Sequence, residues 1–226
     1  MKTLRFTLLL IGCGLLSSAV HGQVSWLWHS ANKTLTEITA SHTDKAGNTY
    51  ISGLFQDSVI IGADSFRARG GTFDHDLFLA VLDKNGIVKW ARHIGSTVSD
   101  GATGISADAN GNIYLFAGFG GDIYIDNNLA LSAAGNTGII KFDGAGRFLW
   151  ATKSWKSPNA YFIPKAMAMN NTGRMIVAGQ FKDSISFGGD TVYEQGGLFF
   201  AAFDTAGNSL WLRSASSTLQ SGSNIS

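Results

Sequence analysis

The chain is short of cysteine, short of charge, and without any block of one charge sign. Each shortage excludes something. Its single cysteine, Cys13, lies in a leader-like stretch: Lys2 and Arg5 open it, "FTLLLIGCGLLSSAV" follows uncharged, and Val20-His21-Gly22 closes it with compact residues. A basic start, an apolar run and a small-residue exit are the pattern of a secretory signal peptide. The apolar run is shorter than the ~20 residues that a membrane-spanning helix needs. Cleavage is expected after Gly22, which gives a leader at 1–22 and a mature chain from 23 with no transmembrane segment. The mature chain then has no disulfide, no thiolate nucleophile and no cysteine metal ligand. Losing Lys2 and Arg5 from 17 basic residues leaves 15 against 16 acidic. These are scattered singly, so no basic face collects phosphates and nucleic acid is not an expected partner.

Also missing is any 3.6-residue apolar stripe. Glycine is 28 of 226 residues, and strand-length apolar runs are punctuated every eight to twelve residues, which excludes helical repeats. What is present instead is a beat. "DKAGNTYISGLF" (44–55), "DANGNIYLFAGF" (108–119) and "NNTGRMIVAGQF" (170–181) are variants of one block. "LFLAVLDKNGIVKW" (77–90), "TGIIKFDGAGRFLW" (137–150) and "LFFAAFDTAGNSLW" (198–211) are variants of a second. Trp28, Trp90, Trp150 and Trp211 are spaced 62, 60 and 61 apart; Gly47, Gly111 and Gly173 are spaced 64 and 62. Two blocks in constant order and period define an internal repeat.

Both blocks read as β. In the second, Asp83, Asp143 or Asp204 is followed three residues on by Gly86, Gly146 or Gly207 between two apolar runs. The Asp carboxylate can accept the backbone N–H two residues on, and the glycine takes the φ > 0 position that closes a hairpin. Each unit therefore holds about four strands, and a variable segment such as "GGDIYIDNNLALSAAGN" can add a short hairpin. The expected architecture is all-β: a propeller-like array of four-stranded antiparallel blades, with Trp90, Trp150 and Trp211 wedged between twisted sheets. About three and a third blades are present: a closing strand at 24–29, units at about 38–93, 102–153 and 165–214, and the start of another unit to 226. Propellers close with four to eight blades. An incomplete ring leaves open sheet edges, so the count favours a fragment of a longer protein over a homodimer that completes a ring through those edges.

"GNTYISG" (47–53), "FDGAGRFLW" (142–150) and "IGSTVSDGATGISADANGN" (94–112) together resemble the SBBP-type β-propeller repeat of secreted bacterial proteins, Bacteroidetes-like in origin. The resemblance covers residues 24 to about 226. In the second unit Gly118 is displaced by one. The third departs further, with Asn170 for the opening Asp, Arg174 for the Asn, and Met175-Ile176 for the x-Tyr pair. It implies secretion and a propeller, often in surface proteins, and it carries over no catalytic residue. A repeat that covers the mature chain without a catalytic constellation makes non-enzymatic binding or scaffolding at the cell surface the expected function. "LIGC" (10–13) also resembles a lipoprotein attachment box, a minor alternative in which Cys13 becomes the lipidated first residue.

No residue stands out as catalytic, and no cofactor or metal is expected. Asp-x-x-Gly lacks the three oxygen donors and terminal Glu of a calcium loop. "FDHDLF" (73–78) is the densest polar cluster, but neighbours on a strand face opposite ways, so His75 cannot share a site with Asp74 or Asp76; a solvated loop is expected there. His93 is expected on a blade rim. The candidate ligand-binding residues are Trp155, Tyr161 and Phe162, aromatics in an inter-unit connection that could stack on a glycan. A surface protein is the other partner class considered. The alternative function is a propeller enzyme acting on polysaccharide, which would need polar residues gathered from several blades.

Overall fold

A computed structural model of the chain describes residues 28–30, 35–71, 73–132, 137–156 and 161–216. The expected leader (1–22) and the expected start of a further unit (to 226) lie outside these residues. Among the described residues there is no helix, and every paired strand is antiparallel. β1 (Trp28–Ser30) precedes the first unit, which supplies β2 (Thr36–Thr43), β3 (Thr49–Gln56), β4 (Ser58–Ile61), β5 (Asp64–Arg67), β6 (His75–Leu82) and β7 (Val88–Gly95). The second supplies β8 (Gly101–Ala107), β9 (Ile113–Gly118), β10 (Ile123–Ile125), β11 (Asn128–Leu131), β12 (Thr137–Phe142) and β13 (Phe148–Ala151). Then follow β14 (Trp155–Lys156), β15 (Tyr161–Met169), β16 (Met175–Phe187), β17 (Asp190–Phe203) and β18 (Ser209–Ser216).

Each unit builds one four-stranded sheet: β2-β3-β6-β7, β8-β9-β12-β13 and β15-β16-β17-β18. The sheets stack through two continuous cores. Leu77, Leu79 and Val81 of sheet 1 meet Ile105, Ile113 and Leu115 of sheet 2. Tyr114 and Ile139 of sheet 2 meet Met175, Val177, Phe199 and Phe203 of sheet 3. Alternation does this: successive residues of a strand face opposite sides, so a strand apolar throughout serves both neighbours.

The variable segment is a hairpin in every unit, and each hairpin crosses to the strand that precedes its own sheet. β4 pairs with β1, β10 with the end of β7, and the far half of β16 with β14. Its two-residue turn needs a positive φ at the first position, supplied by Gly62 (61°), Asp126 (54°) and Gly188 (63°). Asp126 is the odd member, held in a conformation that ordinarily favours glycine.

The Asp-x-x-Gly turn is more elaborate than its sequence suggests. Asp108 Oδ1 accepts the backbone N–H of Asn110 and of Asn112, both at 2.9 Å, and its Oδ2 accepts Asn112 Nδ2 at 2.8 Å and the Tyr114 hydroxyl at 2.9 Å. Asp44 repeats the set with Ala46, Asn48 and Tyr50. The Asn and the Tyr of the "G-N-x-Y" signature are therefore donors to one carboxylate, while its Gly N–H goes to the backbone carbonyl of the same Asp. Burial pushes both carboxyls up, but the hydrogen bonds outweigh it and hold them below the ordinary aspartate value. The two tyrosine hydroxyls are raised by burial and by the carboxylate each serves.

The spaced tryptophans explain the turn glycine. The Trp90 ring lies against Gly146 of the next sheet, where an added Cβ would meet it at 2.9 Å, and Trp90 Nε1 donates to Gly144 O at 3.1 Å. Trp150 lies against Gly207, where an added Cβ would meet the ring at 3.0 Å. Trp28 does not join this series in register. It stands opposite Ile61, the place that Ile94 takes opposite Ile125, four residues past the Trp90 position.

Candidate functional site

The polar groups of unit 1 converge where its last strand meets two hairpins. Asp76 ends up fully buried, and His93, on the neighbouring strand, is 5% exposed. His93 Nε2 lies 2.5 Å from Asp76 Oδ2, which also accepts the Arg69 backbone N–H at 2.9 Å. The register puts Gly95 beside Asp76, and a Cβ at Gly95 would come within 2.3 Å of the carboxyl carbon. Only glycine there lets a carboxylate fold flat over the strand. The expected solvated loop is thus corrected at Asp74 and Asp76, both buried, and so is the rim position of His93. The alternation that separates His75 from its neighbours holds; the partner histidine comes from the adjacent strand instead. The Phe55 and Phe66 rings pack on His93 at 5.4 and 5.8 Å.

Beside this pair, Asp100 clamps the connection into sheet 2. It accepts the Ser96 backbone N–H at 2.5 Å, the Ser96 hydroxyl at 2.8 Å and the Gly120 N–H at 3.1 Å. Burial pushes its carboxyl up to about 7, with the Asp76 charge adding to the rise and the Ser96 and Gly120 hydrogen bonds opposing it. The Ser96 hydroxyl has one proton and two acceptors, the Val98 carbonyl at 2.7 Å and Asp100. When Asp100 is ionised that proton is shared between the two; when Asp100 is protonated, its carboxyl can donate to Ser96 Oγ and free the hydroxyl for Val98.

Outside this buried layer lies a cleft of about 410 Å³ lined by Asp64, Phe66, Arg67, Arg92, His93, Asp126 and Asn127. A second depression of about 270 Å³ shares Arg92 and Asp126 and runs on to Leu129, Gly146 and Arg147. Arg92 is already engaged: Nε donates to Gly146 O at 2.9 Å and sits 3.6 Å from Asp126 Oδ2. Arg69 lies over the Tyr124 ring at 4.1 Å and donates to Asp126 O and Asn127 Oδ1 at 2.9 and 3.2 Å. The cleft offers guanidinium and carboxylate edges to a polar ligand. His93, which lines it, is nearly buried and is held by the fully buried Asp76 beneath. Among the described residues, no three His, Cys, Asp or Glu side chains are grouped to hold a metal ion.

Of the aromatic trio, Phe162 alone has a described side chain. Phe162 packs on Phe199 at 4.8 Å in the core between sheets 2 and 3. Trp155 and Tyr161 stand opposite Ser186 and Lys182 along one edge of β16; their side chains lie outside the described residues. Asp100, Arg69 and Asp126 went unnoticed in the sequence. The signal available was the "FDHDLF" cluster together with a His two residues before the glycine that accommodates it.

No protein-family model matches the chain, and no curated protein matches it.

Proposed function

We propose that the chain is a secreted or surface-exposed β-propeller-type repeat module, akin to the SBBP repeat, that binds or scaffolds at the cell surface without performing catalysis. One observation carries this reading: the same tryptophan-on-turn contact joins sheet 1 to sheet 2 and sheet 2 to sheet 3. A single contact geometry repeated between twisted four-stranded sheets is how propeller blades follow one another. The polar residues of the densest cluster tie sheet edges together, which suits a rigid display surface. The cleft at Arg67 and Arg92 is its ligand face.

The test is an array of bacterial and host polysaccharides and surface proteins, probed with the mature chain and with Arg67→Ala. Saturable binding that weakens in Arg67→Ala supports the reading. Release of cleaved or unsaturated sugar from a bound polysaccharide would establish the enzyme alternative instead.

A further inference from the structure

Each internal junction seats a tryptophan on the next sheet's turn and adds a cationic side chain to a carbonyl of that turn. The cation comes from the tryptophan's own strand at the first junction and from the neighbouring strand at the second. Trp90 holds the Gly144–Gly146 turn, and Arg92, two residues on, donates Nε to Gly146 O at 2.9 Å. At the second junction Trp150 covers Gly207, and Lys141 Nζ donates to Thr205 O of the same turn at 3.0 Å. Sheet 3 carries the first junction's pair again, in register. Trp211 stands opposite Ala202 as Trp90 stands opposite Val81, and Arg213 stands opposite Phe200 as Arg92 stands opposite Leu79. Where sheet 1 has Tyr50, Leu77 and Leu79 buried in a core, sheet 3 has Ile176, Leu198 and Phe200, exposed by 42, 44 and 38%.

The other end of the array offers the complementary part. The Asp83–Gly86 turn has the same construction: Gly86 N donates to Asp83 O at 2.9 Å, and Asp83 Oδ1 accepts from Asn85 and Ile87. A Cβ at Gly86 would meet nothing within 4 Å, and Ile87 beside it is 63% exposed. At this seat the ring has room to lie down.

We propose that a second copy of this chain docks head to tail on the open face of sheet 3, with Trp211 and Arg213 of one protomer gripping the Asp83–Gly86 turn of its partner. The proposal rests on the blade-like stacking inferred above. Its polarity follows from donor chemistry. An indole N–H and a guanidinium are donors only, and they need the turn's carbonyls; two sheet-3 faces pressed together would set donor against donor. A head-to-tail contact closes a ring or extends a filament. The first two strands of sheet 1 carry Ser41, Thr43 and Thr49 where sheet 2 has Ile105, Ala107 and Ile113. The contact is therefore confined to the last two strands, and it dissociates on dilution.

Light scattering on the mature chain at ~100 μM, a range that populates micromolar contacts, should give at least twice the monomer mass. Phe200→Asp blocks the grip and Ile87→Asp blocks the seat; both positions are exposed, so both variants fold, as their β-type circular dichroism will report. Each alone should be monomeric. Mixed in equal amounts, they retain one intact grip and one intact seat and should recover a heterodimer. A monomeric parent chain, as expected if the face instead takes a further unit of a longer polypeptide, overturns the proposal. An Ile87→Asp chain that stays associated overturns it too, in favour of a face-to-face pair. Both of these outcomes leave the stacked-sheet reading standing; loss of the β signal in the parent chain removes both.

Discussion

Gly146→Ala separates two jobs that one glycine performs. Gly146 sits at φ 76°, and an added Cβ would also meet the Trp90 ring at 2.9 Å. Gly111 has nearly the same φ, 77°, and a Cβ there would meet nothing within 4 Å. Gly111→Ala therefore reports the left-handed backbone penalty alone, about 1 kcal/mol. Gly146→Ala adds displacement of the indole, with loss of its hydrogen bond to Gly144, about 1 kcal/mol, and of part of its buried area. At ~25 cal/mol per Å², uncovering ~50 Å² of ring costs about another 1 kcal/mol. The expected losses are about 1 kcal/mol for Gly111→Ala and about 3 kcal/mol for Gly146→Ala. Urea unfolding followed by tryptophan fluorescence measures both, and the larger loss should be accompanied by a red-shifted native emission as Trp90 gains water. Equal losses in the two variants would refute the idea that the tryptophan rests on the turn.

Gly53→Ala should cost about 3 kcal/mol by thermal or urea unfolding, because its Cβ would fall 2.2 Å from Glu37 O and 2.5 Å from the Phe78 ring, and backbone cannot step aside. Asp76→Ala should cost about 3–5 kcal/mol, since it strands His93 and the Arg69 N–H without their buried acceptor. Asp100 gives a pH signature of unusual sign. Its folded carboxyl, at about 7, lies above the ordinary 3.8, so the folded state binds the extra proton and this group's contribution falls as pH rises from about 4 to about 7. The upper bound is about 4 kcal/mol at 1.36 kcal/mol per pH unit, and Asp100→Asn should flatten urea midpoints across that window. Asp44 and Asp108, with lowered carboxyls, act oppositely: their contribution is present above the ordinary value and is lost as pH falls through the folded one. Asp108→Ala should cost about 2–3 kcal/mol, because the Tyr114 hydroxyl is left without its acceptor. Asp143→Ala should cost less, since its Arg147 partner is largely exposed.

The stacked antiparallel sheets were legible because the information lies in spacing, and spacing survives substitution. Asn170 replaces the turn aspartate of unit 3, yet its Oδ1 still accepts the N–H of Thr172 and of Arg174, so the turn persists without the carboxylate. Gly118 shows the opposite case. Its displacement by one in the sequence looks like a slipped glycine. In the structure Gly53 faces Phe78 and Gly179 faces Phe199, whereas Ala117 faces Gly138. The glycine that makes room for a cross-strand ring has gone from β9 because the ring has gone from β12. This is a paired change, visible only once the strands are in register.

The polar cluster was illegible for a related reason. Period-locked residues announce themselves by recurrence, but Asp76, His93 and Asp100 occur in one unit only, and their partners come from four separate places in the chain. A lone Asp beside a His reads as surface when judged by its strand neighbours. What buries it is the absence of a side chain at Gly95, a residue that carries no chemical signal of its own. The same logic governs the open end. Trp211 and Arg213 look like members of a finished series, and nothing in their identity separates them from Trp90 and Arg92. Only the exposure of Leu198 and Phe200 shows that the grip is set with nothing in it from the described residues, and only the open space over Gly86 shows where a matching turn is to be found.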